Sequence, residues 1–466
     1  MEGKEYMLSY NQALDFIHGL NRFGTKLGLQ NITKLLDILG NPHKGIKIIH
    51  VAGTNGKGST CAMIDSILRS AGFKVGLYTS PYLEVFNERM RVNGENISDD
   101  DLARLTDKVH AAVMYMRENN LGSPTEFEVV TAIGFLYFKE QSVDFLVLEV
   151  GMGGRLDATN VVTPMVSVIT PISLDHQQYL GNTLEDIARE KCGIIKPGIP
   201  VVTSLQEYEA MRVIEEVSNS LNCKLIKVSN EQARESCETV YYHLISDDEK
   251  GLVFDLKTQK NTFPGLKIQL IGRHQLDNAA TAVAAIEVLN MQGIKIKSDA
   301  IYSGLRNARW PGRLELISEN PTILIDGAHN IAGIKTLKEA LNQYYSNRKK
   351  ILVIGILEDK DYKDMLHDIV PVADIIITTA PNNPRALAAC ELADIIAELF
   401  GDSVIQINAE DLDIGKKINS NTTIQVYAEE KIEDAAKLAK ALADSEYMIV
   451  FAGSLYMIGY VRTLLR

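Results

Sequence analysis

The chain's densest concentration of phosphate-binding chemistry lies in one string, HVAGTNGKGST, from His50 to Thr60. It follows an apolar run, IKIIHVA, and precedes a helical pattern, STCAMIDSILRSAG, which is the context a phosphate loop requires. Gly53, Gly56 and Gly58 permit a tight turn, so that backbone amides of Thr54, Asn55 and their neighbours can face phosphate oxygens. The helix start adds positive partial charge. Lys57 supplies a full charge for the β- and γ-phosphates, and Ser59 or Thr60 offers a hydroxyl to Mg²⁺. The spacing is not that of GxxxxGK[ST]: Val51 stands where the first glycine would be, and Gly58 separates Lys57 from the hydroxyl residue. Glycines alone would describe an ordinary strand-to-helix turn. The lysine and the hydroxyls turn the reading towards phosphate.

A second set of candidates sits where other predicted strands end. Glu149 closes the run FLVLEV and is followed by GMGGRLDATN. A carboxylate at the carboxyl end of a parallel strand faces the crevice where open α/β sheets bind ligands, so it suits Mg²⁺. Asp175 and His176 follow the next strand in VITPISLDHQQYLG. Imidazole is an unusual Mg²⁺ ligand, and by its chemistry alone His176 reads as a hydrogen-bonding residue. Lys191, in TLEDIAREKCGIIKPG, reads alone as an exposed lysine near a helix C-terminus.

These residues need a scaffold, and the surrounding periodicity describes one. From Ile46 onward short apolar runs alternate with amphipathic stretches, the signature of a parallel sheet with crossover helices. Strands are predicted at Phe145–Val150, Met165–Ile169 and Pro200–Thr203. Helices are predicted near Asp100–Asn119, Thr125–Glu140 and Thr183–Lys191. Between about Thr239 and Leu270 shorter alternating runs predict antiparallel strands that extend the sheet. A second βα series runs through Leu314–Ile317, Thr322–Ile325, Lys350–Ile354, Ile375–Thr379 and Met448–Phe451. The turn-rich Arg309-Trp310-Pro311-Gly312 is the linker candidate. The fold class is therefore α/β: a P-loop-containing, mostly parallel ATPase domain over residues 1–308, then a smaller Rossmann-like domain over 309–466.

Bulk properties narrow the setting. With 466 residues, more than one core is expected. Hydrophobic and charged fractions of 46% and 23% are those of ordinary globular proteins. A net charge of -12 disfavours broad attachment to nucleic acid or an anionic membrane, so any phosphate site is local. Five cysteines, Cys61, Cys192, Cys223, Cys237 and Cys390, include no CxxC pair and do not read as a disulfide framework. With no apolar run of membrane-spanning length and no leader-like start, the expectation is a soluble cytoplasmic protein.

Taken together, these strings resemble the folylpolyglutamate synthase and dihydrofolate synthase family within the Mur-type amide ligases. The resemblance is carried by HVAGTNGKGST, TSPYL with ERMRVNG, TEFEVVTAIGFLYF, LEVGMGGRLDATNVV, ITPISLDHQQYLGNTLEDIAREKCGIIKPG, GRHQLDNAATAVAA, WPGRLE, LIDGAHN and FAGSLYMIG, in the family's order. It implies that Ser80, Glu149 and His176 hold Mg²⁺, with two metal sites. It further implies that Lys191 is N6-carboxylated, exchanging a cation for an anion that binds or orients metal. In the second half it implies that Asn278, Arg313 and Asp326 contact the nucleotide and that His329 lines the active-site cleft. Tyr82 and Met152 depart from the family's usual His and Leu on the pterin side, which bears on substrate choice.

The implied reaction is ATP-dependent. A carboxylate is a poor acyl donor, so Lys57, the loop amides and Mg²⁺ would direct γ-phosphoryl transfer to it, and the amine of glutamate would displace phosphate from the acyl phosphate. Folate or dihydropteroate and L-glutamate are the expected substrates, with both activities in one monomeric chain. A cell-wall Mur ligase is the nearest alternative, and the expectation against it is the lack of an additional domain ahead of Gly53. A nucleotide-gated regulatory ATPase is the alternative from another class, which ATP-coupled amide formation would exclude.

Overall fold

The computed structural model describes residues 8–20, 28–230, 239–407 and 423–466; Cys237 lies outside the described residues. The chain divides into two compact units. The first comprises Met1–Asp247, Leu252–Gln269 and Arg273–Arg309; the second comprises Asp248–Gly251, Leu270–Gly272 and Trp310–Arg466.

An eleven-stranded sheet is built from β1 Lys47–Ala52, β2 Val75–Tyr78, β3 Met90–Val92, β4 Glu95–Asn96, β5 Phe145–Glu149 and β6 Val166–Ile169. It continues with β7 Val201–Thr203, β8 Leu225–Asn230, β9 Thr239–Asp248, β10 Gly251–Lys257 and β11 Thr262–Ile268. The order is β11-β10-β9-β8-β7-β6-β1-β5-β2-β3-β4. Strands β8 to β2 across the middle run parallel, and their interior residues are almost wholly apolar because both faces are covered. The 239–270 strands do extend the sheet: β10 and β11 pair antiparallel as expected, while on its other side β9 joins β8 in parallel.

Register decides what the sheet presents. Val51 lies opposite Glu149, Ala52 opposite Ile169, and Tyr78 opposite Leu148. The loops leaving β1, β5, β6 and β2 therefore emerge side by side at one edge, the carboxyl edge of a parallel sheet. The helix Lys57–Ser70 after β1 is buried at every residue from Ser59 to Leu68. It can be so deeply covered because Gly304, on the helix Ser298–Asn307, has no Cβ; one built there would stand 2.4 Å from Ile67 Cα. Ser66 Oγ donates to the Gly304 carbonyl at 2.7 Å across that contact. On one side of the sheet an apolar cluster gathers Ile17, Leu35, Val113, Ile133 and Leu148; another around Ile169, Ile187 and Ile214 supports the helix carrying Lys191.

The second unit's sheet contains β12 Glu315–Glu319, β13 Thr322–Ile325, β14 Lys349–Ile354, β15 Ile375–Thr378, β16 Val404–Gln406, β17 Ile424–Ala428 and β18 Tyr447–Ala452. Its order is β12-β13-β18-β14-β15-β17-β16, parallel except for the β12–β13 hairpin. Strands β16 and β17 were not anticipated; β16 has only three residues, and the pattern of β17 does not stand out from its surroundings. Among the described residues no helix is long and apolar enough to cross a membrane.

Candidate active site

Gly56 adopts the left-handed conformation (φ 83°) and caps the helix Lys57–Ser70. The amides of Lys57, Gly58 and Ser59 consequently stand in the first turn, where helix geometry provides no acceptor. Earlier in the loop the backbone is tied down: the Thr54 and Asn55 amides both donate to the Pro171 carbonyl, at 2.9 and 3.2 Å. Thr54 Oγ1 donates to the Ser173 carbonyl (3.0 Å) and accepts from the Ser173 amide (3.1 Å). Asn55 Nδ2 donates to Ser173 Oγ at 3.2 Å. Two residues that sequence reading assigned to phosphate thus clasp the loop after β1 to the loop after β6. The close approach requires Gly53, since a Cβ there would lie 1.8 Å from Thr170 Oγ1.

Two ammonium groups converge on one oxygen of this loop. Lys57 Nζ donates to the carbonyls of Gly53 and Thr54, each at 3.1 Å, and Lys191 Nζ donates to the Gly53 carbonyl at 2.8 Å. Lys191 is not the exposed lysine its helix position suggested. It is only 4% exposed, and burial first, then the nearby Lys57 charge, bring its pKa down to about 7. Asp175 and Asp157 oppose that shift.

At the neighbouring strand ends, Glu149 is buried and its Oε2 accepts from the Ser80 amide at 3.0 Å. Ser80 precedes a cis peptide bond to Pro81. His176 has φ 52°, caps the short helix Gln177–Leu180, and places Nε2 3.9 Å from Asp175 Oδ1. Among the described residues no three His, Cys, Asp or Glu side chains form a cluster able to hold a metal. A hydroxyl and a carboxylate at adjacent strand ends nevertheless fit Mg²⁺, which takes one or two protein oxygens and completes its shell with water and phosphate.

Helix His274–Met291 braces the loop from another direction. Thr60 Oγ1 donates to Asn278 Oδ1 (3.4 Å), Asn278 Nδ2 to Gln275 Oε1 (3.0 Å), and Gln275 Nε2 to Ser59 Oγ (3.5 Å). Gln275, buried and absent from the sequence-based candidates, therefore touches the hydroxyl assigned to metal. Asn278 also sets the need for Gly56, where a Cβ would stand 2.2 Å from Asn278 Oδ1.

The loop after β5 has its own anchor. Asp157, buried and with its carboxyl raised by that burial, accepts from the amides of Met152 (2.9 Å) and Thr159 (3.0 Å). The Thr159 hydroxyl donates to Asp157 Oδ1 at 2.5 Å, so it accepts from His50 Nε2 at 2.9 Å. That bond puts the His50 proton on Nε2, and burial lowers the imidazole pKa to about 3. His50 is accordingly a neutral strut inside β1.

In the second unit, Asp326 is buried, its carboxyl raised by desolvation against the opposing charge of Arg313. Its two oxygens accept from the amides of Leu314 (2.8 Å) and Ala328 (2.9 Å), which orders the turn bearing Arg313. His329 Nδ1 lies 2.8 Å from the Gly327 carbonyl.

Residues 51–286 match the family model for the Mur ligase middle domain, and residues 312–455 match that for the Mur ligase glutamate ligase domain. A dihydrofolate synthase/folylpolyglutamate synthase of Bacillus subtilis is 39% identical over 460 residues, covering 98% of this chain and 99% of that one. A Mycobacterium tuberculosis folylpolyglutamate synthase solved with ADP and AMPPCP superposes with a TM-score of 0.84 at 31% identity, covering 98% of this chain and 99% of that one. An Escherichia coli protein solved with DHPP and ADP gives 0.81 at 29%, with 97% of each chain covered. With full-length identity, both domain models and the clasped glycine-lysine loop in agreement, the chain belongs to the dihydrofolate synthase/folylpolyglutamate synthase family of Mur ligases.

Proposed function

We propose that this protein is an ATP-dependent ligase that joins L-glutamate to the carboxylate of a folate, and also to dihydropteroate, through an acyl phosphate. The observation that carries the reading is the convergence of Lys57 and Lys191 on the Gly53 carbonyl, beside the Ser80–Glu149 pair. Cations and hard oxygen donors thereby share one edge of the sheet, and relatives have been solved with ADP or AMPPCP, which supports a nucleotide as ligand.

The loop's first-turn amides and Lys57 hold the β- and γ-phosphates. To do so Lys57 exchanges two backbone carbonyls for phosphate oxygens, a stronger charge-assisted pairing. Ser59, Ser80 and Glu149, with His176, would hold Mg²⁺, and the ion would supply positive charge to offset that of the phosphoryl group. The acceptor carboxylate attacks the γ-phosphorus and ADP leaves. The glutamate amine then attacks the acyl carbon, a proton is lost from nitrogen, and phosphate departs with the former carboxylate oxygen. Asn278, through Thr60 and Gln275, keeps the hydroxyls of the loop in place.

Lys191 is suited to N6-carboxylation. With a pKa of about 7, roughly half its amine is neutral near pH 7, and the lone pair can form a bond to the carbon of CO₂. Loss of the nitrogen proton leaves a carbamate, replacing a cation beside Lys57 by an anion. Intact-mass and product-mass measurements with ATP, Mg²⁺, glutamate and each pterin acceptor in turn test the whole reading. Glutamyl adducts formed only with ATP are expected; their absence with every acceptor would overturn it.

A further inference from the structure

The segment between β2 and β3 begins at the metal-site edge and returns to it. The Ser80 amide donates to Glu149, and the Thr79 amide donates to the carbonyl of Arg89 at 3.0 Å. Two of its polar side chains, Glu88 and Asn87, are spent on its shape. Glu88 accepts from the amides of Leu83, Glu84 and Val85 and from Arg91. Arg91 also bonds Asn96. Asn87 donates to the Ile97 carbonyl and to Asp99, and accepts from Tyr10.

Arg89 is held differently. Its guanidinium carbon lies 5.2 Å from the centroid of the Tyr82 ring and 5.4 Å from that of Phe86. Among the described residues its side chain has no carboxylate partner, and its Nε is covered from solvent without an acceptor. Aromatic faces hold a guanidinium by cation–π attraction but offer nothing to its in-plane N–H groups. A guanidinium held by two rings keeps its fork pre-set, and its terminal N–H groups match a carboxylate in two-bond geometry.

We propose that Arg89 receives a carboxylate that the acceptor carries besides the one being activated, namely the α-carboxylate of a γ-linked glutamyl residue. This rests on the ligase reading above. The reacting carboxylate must meet the phosphoryl group at the Ser80–Glu149 edge, and Arg89 sits one backbone hydrogen bond along from that edge. A glutamyl acceptor presents its α-carboxylate on the same residue as the reacting γ-carboxylate; dihydropteroate has no such group. Arg89 is thus a specificity residue that favours acceptors already bearing glutamate, and Tyr82 contributes by holding it.

The test is a cycle between enzyme and substrate. Tetrahydropteroylglutamate and its α-carboxamide are compared on wild-type protein, Arg89→Gln and Arg89→Lys. For the wild type, kcat/KM is expected to fall about 10–100-fold on amidation, mostly through KM, as for a lost hydrogen-bonded charge pair. In Arg89→Gln the acid-to-amide ratio collapses to within about twofold, and Arg89→Lys keeps an intermediate ratio. Equal losses for acid and amide would overturn the proposal, because Arg89 would then be structural or would serve the reacting carboxylate. Should the variants fail to fold, equilibrium binding of the two acceptors to wild type decides, and equal affinities overturn it. If wild type glutamylates neither compound nor dihydropteroate, the ligase reading itself falls.

Discussion

At the scale of single residues, the shared Gly53 carbonyl gives the two lysines distinct, separable behaviour. Lys57→Ala removes the ammonium assigned to the phosphates and leaves the loop's clasp to Pro171 and Ser173 in place. Ligation is expected to fall on the order of 100–1,000-fold, with the melting temperature little changed. Near-normal turnover would refute the role given to that charge. Lys191→Ala is expected to be similarly poor but partly restored by added acetate or formate, which supply the missing anion. Full activity without rescue would show that no carboxylated lysine is needed. Lys57 stood out because its chemistry is written in one contiguous string, whereas Lys191 alone read as an exposed lysine and only the family resemblance singled it out. Arg89 did not stand out, since its meaning lies in having two aromatic neighbours and no carboxylate, which only folding reveals. His50 was hidden for a related reason: its partner Thr159 is 109 positions away.

At the scale of elements, the sheet's register does the positioning. Predicted strands and helices largely coincide with those observed, because buried parallel strands and amphipathic crossover helices have strong periodic signatures. What periodicity cannot show is how one loop is tied to another. Thr54 and Ser173 are 119 residues apart, and Ser59 and Gln275 are 216 apart. Thr54 therefore read as a phosphate contact although its hydroxyl closes a reciprocal pair with Ser173. Thr54→Val should loosen both loops at once, raising the KM for ATP and the Mg²⁺ requirement together by roughly tenfold, about the worth of one buried hydrogen bond or two. Thr54→Ser should restore most of both. If Val is neutral in steady-state kinetics, the clasp has no part in placing His176.

For the whole molecule, the helix His274–Met291 links catalysis to stability. Burial pushes the Asp277 carboxyl up to about 6, against the opposing effect of its hydrogen bond from Tyr242. A carboxyl whose pKa is raised on folding contributes stability that is fully present below its unfolded value near 4 and is lost as pH climbs through 6. Asp277→Asn keeps an oxygen for Tyr242 and removes that loss. Urea unfolding should find the variant's advantage over wild type widening by on the order of 1 kcal/mol between pH 5 and pH 8. A pH-independent difference would mean that Asp277 ionises as freely in the folded protein as in the unfolded chain.

The glycines around Lys191 carry a further implication for how such a chain can change. A Cβ on Gly154 would stand 2.8 Å from the carbonyls of Glu190 and Lys191, and one on Gly193 would stand 2.3 Å from Arg155 Cα. The loop after β5 and the end of the helix carrying Lys191 are therefore in bare main-chain contact, with no side-chain cushion to absorb a shift. Libraries that diversify residues 151–156 to recruit new acceptors will move the lysine with every bulky insertion. Substrate range and activating chemistry can drift only as a linked pair, so productive variants should cluster where Gly154 and Gly193 are both retained.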